Sequence, residues 1–328
     1  MTVIDMHTHI LSQPYLDLLA ARGGPEYEVK VDRSGGPAVH RFGAPFMTLT
    51  PGMFDVPARL AAMDAGGVDL AILSLTTPNA LWGDRDTSNL AARLTNDYIA
   101  DVCRAHPARF RGLASLPWQH PADAIAELDR ACDTLGLVGV ITLANINGQS
   151  LTDPAFAPVW EAIDRRGLPV LVHPGTPPGV EAMQMQEYNL VASVGFLIDT
   201  TLALTRMIFD GFFDRYPRLK IIAPHAGGTL PYVAGRLDRC HEQMPACRAQ
   251  ISERPSTYLG RIYYDAVCFS PDALELCLRV GGAQNLMYGS DYPHNVGDIA
   301  GCLALVNALP PGVVADVRGR NAIRLFGL

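Results

Sequence analysis

Residues 3–10 read VIDMHTHI, so two of the nine histidines in the chain stand one residue apart at the end of an apolar run. Side chains two apart on a strand leave from the same face, so His7 and His9 can converge on one point. Taken alone, the pair is explained as well by one packed imidazole and one turn cap. Other residues decide the matter: His173 closes PVLVHP, His225 lies in LKIIAPHAG and Asp291 in NLMYGSDYP. Three or four imidazoles and one carboxylate at one place make a site for a borderline divalent ion such as zinc, manganese, cobalt or iron.

Eight apolar runs, many of them rich in β-branched residues, have to position these groups: 3–9, 70–75, 110–117, 138–143, 169–174, 219–227, 262–267 and 285–293. They are near-continuous rather than alternating, as in strands buried on both faces of a parallel sheet. Helical patterns lie between them, several ending at Gly or Pro in AGG, HP, LG, RRG and RYP. Strand and helix alternating in this way predict a single α/β domain over 1–328, a (β/α)8 TIM barrel. The five candidate residues then fall at the C-terminal ends of strands one, five, six and eight. Nothing comparable is read at the ends of the third, fourth and seventh. Residues 11–56 form a long insertion after the first strand, read as a small hairpin or lid, and 175–193 a second long loop after the fifth; loops of that length usually serve function.

The chain has 328 residues, 48% hydrophobic and 18% charged, enough to bury a large core. A formal charge of −7 without a basic stripe argues against nucleic acid as a partner. The sequence enters its first strand without a leader-like segment, and no apolar run is read as approaching the roughly 18 residues of a membrane span. A cytoplasmic protein is expected. Seven cysteines, with no C-x-x-C among them, fit reduced and mostly buried thiols.

IDMHTHIL, LPVLVHP, RYPRLKIIAPHAGGTLPYVAGRLDR, YGSDYPH and GRNAIRLFGL together resemble the amidohydrolase superfamily, in the branch of aminocarboxymuconate-semialdehyde decarboxylase and the aromatic-acid decarboxylases. The resemblance spans essentially the whole chain. It implies that His7, His9, His173 and Asp291 are metal ligands and that His225 is the catalytic imidazole beside the ion. The alternative for His225 is a further ligand. Lys30 and Lys220 are the only lysines and neither lies in the fourth-strand run, where binuclear members carry a carboxylated lysine; one ion is therefore expected, zinc first and manganese second.

The same resemblance gives Arg236, eleven residues after His225, two readings: an arginine that reaches across a homodimer interface to a substrate carboxylate, or a surface ion pair. His294 lines the pocket or caps a turn. Glu181 and Glu187 are expected to face solvent, and His40, His106, His120 and His241 to be structural, in loops or at helix ends. Two positions depart from the branch's muconate enzyme. Met47 stands where that enzyme has a carboxylate-binding arginine, with Arg41 a substitute only in a shifted register, and Ala192 stands in place of a pocket tryptophan. A related but different substrate is implied, and LAILSLTTP and DYPH resemble the methylsalicylate-type decarboxylases.

The expected activity is that of a carbon–carbon lyase, a metal-dependent carboxy-lyase that removes CO2 from a small unsaturated or aromatic (hydroxy)carboxylic acid without an organic cofactor. His225 or Asp291 would supply the proton. The alternative is a metal-dependent hydrolase or hydratase of a ring-cleavage product, using the same residues. A barrel kept only for partner binding is disfavoured by the complete ligand set.

Overall fold

The computed structural model describes residues 2–31, 35–42 and 44–328. Its main sheet has eight parallel strands in chain order: β1 (Ile4–His9), β2 (Leu70–Ser74), β3 (Phe110–Ser115), β4 (Gly139–Leu143), β5 (Pro169–His173), β6 (Lys220–Ala223), β7 (Tyr263–Asp265) and β8 (Leu286–Met287). The chain after β8 returns to β1. Asp291 N–H donates to the His7 carbonyl at 2.9 Å and His9 N–H to the Tyr292 carbonyl at 2.8 Å. These bonds close the predicted barrel and bring Asp291 beside the two first-strand histidines.

Ile4, Met6, Ile72, Leu113, Ile141, Leu171, Ile222 and Met287 form one buried cluster contributed by seven of the eight strands. A second layer, including Phe110, Val140, Trp160, Val170 and Phe212, joins the sheet to its helices. The helix ends follow their sequence signals. Asp55, Asp84, Ser270 and Asp298 cap N-termini by accepting from a backbone N–H three residues on. Gly67 and Gly167 take the left-handed conformation that ends helices Val56–Gly66 and Ala157–Arg166.

The insertion is more than the expected hairpin. Helix Gln13–Arg22 is capped by Ser12, and the strands Tyr27–Val31, Pro37–Arg41 and Ala44–Thr48 form an antiparallel sheet. Part of the expected hairpin, residues 32–34 and 43, lies outside the described residues. A two-stranded hairpin is marginal in water; here Leu16, Leu19, Tyr27, Val39 and Met47 share a core with Trp82.

The second long loop runs into a 19-residue helical stretch, Val191–Phe209, of mean hydropathy 1.4. By length and composition it could cross a membrane, contrary to the expectation that no such run exists. Within it Asp199 is buried and accepts hydrogen bonds from Gly175 N–H at 2.9 Å and Asn145 Nδ2 at 3.0 Å, so the stretch is docked on the barrel. All seven cysteines are free. Only Cys277 and Cys302 are fully buried, fewer than expected.

Candidate metal and active site

His7 and His9 are wholly buried at the end of β1, where the pairing with β2 shifts register between Asp5 and Thr8. Irregularities of this kind re-aim side chains. His173 ends β5, and His225 and Asp291 follow β6 and β8. Both of the latter have left-handed backbones, φ 55° and 59°, a conformation that non-glycine residues seldom adopt away from functional turns. The ligand-type atoms of His7, His173, His225 and Asp291 lie within 4.8 Å of one another, and so do those of His9, Asp291 and His294. Asp291 belongs to both sets.

Hydrogen bonds behind the rings fix which nitrogen faces the centre. His7 Nδ1 meets Asp265 Oδ2 at 2.7 Å, and His173 Nδ1–H donates to the Pro174 carbonyl at 2.8 Å. Ser74 Oγ–H donates to the Thr8 carbonyl at 3.0 Å, so it must accept from His9 Nδ1–H at 3.1 Å. All three rings thus turn Nε2 inward. The His7 and His9 Nε2 atoms stand 3.0 Å apart, and Asp291 Oδ1, buried without a hydrogen-bond partner among the described residues, is 3.3 Å from His9 Nε2 and 3.6 Å from His7 Nε2. Lone pairs facing one another in a buried space need a cation or a proton between them. Three imidazoles, each held from behind, and a carboxylate fit a divalent ion.

The local pKa values follow the same geometry. Burial pushes His9 down to about 3. Burial, then the neighbouring His9, His7 and His225, holds His173 well below the ordinary histidine value. At His7 burial also lowers the pKa, but the hydrogen bond and charge of Asp265, with the charge of Asp291, outweigh it and raise the value. Burial would raise Asp291, yet the imidazoles around it, His225 and His9 foremost, bring it well below the ordinary carboxylate range. Burial lowers His294 as well.

Asp265 corrects the sequence reading, which found nothing at the end of the seventh strand. Besides holding His7, its Oδ1 accepts from Ala226 N–H at 3.2 Å and Val267 N–H at 3.0 Å, tying the turn that carries His225 to β7. The available signal was a lone acid closing the run IYYD. Arg59 was also missed. It is 1% exposed, donates through Nη2 to the carbonyls of His9 and, at 2.9 Å, Gly52, and lies 4.9 Å from the Tyr292 ring centre. One side chain thereby pins the end of β1, the insertion and the residue after Asp291. A glycine at position 52 suits this packing, because a Cβ there would clash with the Tyr292 hydroxyl and with the Pro293 ring.

Above the cluster lies a cavity of about 630 Å³, with His173, His225, Asp291 and His294 in its wall. His294 lines it as one of the two readings held, its Nε2 2.9 Å from Thr76 Oγ1. Met47 and Ala192 also line it. Arg41 does not; it is paired with Glu26 at 2.7 Å. Arg236 is exposed on helix Leu230–Gln243 and lies outside the cavity wall, whereas Tyr232, one turn earlier on the same helix, is in the wall. Glu181 and Glu187 face solvent. His106 and His120 stand at helix ends and His241 near the end of its helix; His40 lies within a strand rather than a loop.

Residues 4–328 match the amidohydrolase family profile, Amidohydro_2. The chain belongs to the amidohydrolase family. This amidohydrolase is 30% identical to the 2-amino-3-carboxymuconate-6-semialdehyde decarboxylase of Dictyostelium discoideum, over 99% of this chain and 91% of that one. Among solved structures, 5-carboxyvanillate decarboxylase from Sphingomonas paucimobilis superposes with a TM-score of 0.87 at 31% identity, covering 100% of this chain and 99% of the other. The 5-carboxyvanillate decarboxylase of Novosphingobium aromaticivorans, solved with manganese and 4-hydroxy-3-methoxy-5-nitrobenzoic acid, gives 0.85 at 27% identity, covering 100% and 96%. All three are carboxy-lyases, and the barrel and family read from the motifs hold. The histidine–aspartate cluster and the manganese in that relative together support a single divalent ion in this amidohydrolase.

Proposed function

We propose that this amidohydrolase is a metal-dependent, non-oxidative carboxy-lyase acting on a small aromatic hydroxy acid or a related unsaturated acid. The observation that carries the reading is the convergence of His7, His9, His173 and Asp291 at the buried end of one largely apolar cavity. Those four residues would hold one divalent ion, with zinc favoured by the sequence and manganese beside it. When bound, the ion supplies Lewis-acid polarisation and a template for the substrate's carboxylate and adjacent hydroxyl.

The chain's own groups handle the proton. His225 Nε2 and Asp291 Oδ2 are 3.8 Å apart at the cavity wall, and this pair holds the proton that is delivered to the carbon bearing the carboxylate. That carbon becomes tetrahedral; its bond to the carboxylate carbon then breaks, the electron pair returns to the ring, and CO2 leaves. One proton is consumed and no electron is transferred, so no redox cofactor is required. Phe46, Phe196 and Leu197 wall the cavity with apolar surface, which favours passage from a carboxylate to neutral CO2.

The proposal includes a homodimer in which Arg236 serves the carboxylate in the partner's site; it is supported by the exposure of Arg236, which has no hydrogen-bond or ion-pair partner among the described residues, on the helix face of Tyr232. A cytoplasmic setting is part of it, supported by seven unpaired cysteines. The test is to load the protein with zinc or manganese, incubate it with hydroxybenzoates and muconate derivatives, and follow CO2. Release that depends on the metal is expected; hydrated or hydrolysed products without CO2 would replace this reading with the hydrolytic one.

A further inference from the structure

The cavity wall contains no lysine or arginine among the described residues. Its one acid is Asp291, already part of the cluster, and its remaining polar groups include Thr48, Thr77, Asn189, Thr229 and Asn295, which are uncharged. Away from the histidines the wall is predominantly apolar, with Phe46, Met47, Phe196, Leu197, Val267 and Phe269 as its large apolar side chains. Positive charge that this chain's own wall offers a bound anion is therefore confined to one end, where the ion would sit. An anionic group elsewhere in the cavity would lose its water without gaining a counter-charge, and burial of an unpaired carboxylate is strongly unfavourable.

We propose that the substrate carries a single carboxylate, the one that is lost, and that its ring bears uncharged, apolar substituents facing Met47 and the phenylalanines. The inference rests on the carboxy-lyase reading and narrows it to alkyl-substituted salicylate-like monoacids, excluding ring dicarboxylates. Arg236 of the partner subunit, in the proposed dimer, adds charge for the same reacting carboxylate and leaves the apolar wall as it is. Met47 is the residue that sets this choice. It comes from the inserted sheet, is 7% exposed, and lies in the insertion's core as well as in the cavity wall.

The experiment has a turnover arm and a binding arm, both on metal-loaded protein. Alkyl-substituted salicylates are expected to exceed hydroxyisophthalates in kcat/KM by roughly 10²-fold or more. Alkylphenols should bind at least about tenfold more tightly by calorimetry than carboxyphenols of similar size. Equal or better turnover of the dicarboxylates would overturn the inference while leaving the carboxy-lyase reading intact. No CO2 from any acid, with the binding preference preserved, would overturn that reading and leave the monoanion preference standing. Met47→Arg should move selectivity towards the hydroxyisophthalates by at least about tenfold; a folded M47R enzyme with unchanged selectivity would show that this wall does not choose the substrate. Should M47R not fold, the wild-type ratios decide alone.

Discussion

His7 Nδ1 and Asp265 Oδ2 meet at 2.7 Å, with both side chains wholly excluded from solvent. The carboxylate fixes the ring so that Nε2 faces the cluster, and through its other oxygen it holds the backbone beside His225. Replacing such an outer partner usually lowers metal affinity 10–100-fold. Asp265→Asn should therefore fold, bind the ion more weakly by about that factor in a chelator competition, and lose activity that excess metal partly restores. Unchanged affinity would remove Asp265 from the account of the site.

The ligand assignment makes a stoichiometric prediction. Purified, metal-supplemented protein should contain about one divalent ion per chain by elemental analysis, and His173→Ala and Asp291→Ala should each lose it. Because His9, Asp291 and His294 also approach one another, two ions per chain is the specific result that would defeat the single-ion site.

How much of this was legible beforehand depended on whether each residue left a pattern. The eight strands did, because strands buried on both faces are continuous apolar runs, and His7, His9, His173, His225 and Asp291 stood out as polar residues closing them. Asp265 closes a three-residue strand with a tyrosine before it and an alanine after, and a single acid carries no spacing to mark it. Arg59 sits in a helix among alanines, where an arginine ordinarily reads as surface; only the fold brings the His9 and Gly52 carbonyls to it. The insertion's helix did carry a signal, Ser12 before Pro14, but its three strands became recognisable only once they shared a core with Trp82.

His225 is assigned to the proton. His225→Asn should retain metal and fold and lower kcat by roughly 10²–10⁴, the usual contribution of a general acid–base group. Metal content falling in step with activity would make His225 a ligand, the alternative that its position within 4.8 Å of the other ligand atoms leaves chemically available.

For Arg236 the check is complementation. A guanidinium binds a carboxylate in a two-pronged way that an ammonium cannot reproduce, so Arg236→Lys should raise KM with the ion still bound. Mixed dimers of Arg236→Ala and His173→Ala chains should regain activity, since one of their two sites has both groups. No recovery, with mixed dimers verified by native mass spectrometry, would confine Arg236 to its own surface.

Asp199 predicts a pH dependence. Burial raises its pKa from 3.8 to about 6, against the opposing hydrogen bonds from Gly175 and Asn145. The folded state therefore holds this proton more tightly than the unfolded one, and its contribution to stability falls as pH rises from about 4 to about 6, then levels. The stability of wild type minus that of Asp199→Asn, from urea unfolding of apoprotein, should decline by up to about 3 kcal/mol across that window. A flat difference would mean that the carboxyl titrates alike in both states.

The central claim, that the cavity breaks the bond between a ring carbon and its carboxylate with the aid of a bound ion, is tested most directly by tracing labels. A salicylate-type acid carrying ¹³C in its carboxyl group, given to metal-loaded protein in H2¹⁸O, should yield ¹³CO2 and the corresponding phenol in equal amounts, with no ¹⁸O in the phenol and no reaction after chelation. Carbon label retained in an organic product that has gained ¹⁸O would contradict the account and establish hydrolysis or hydration instead.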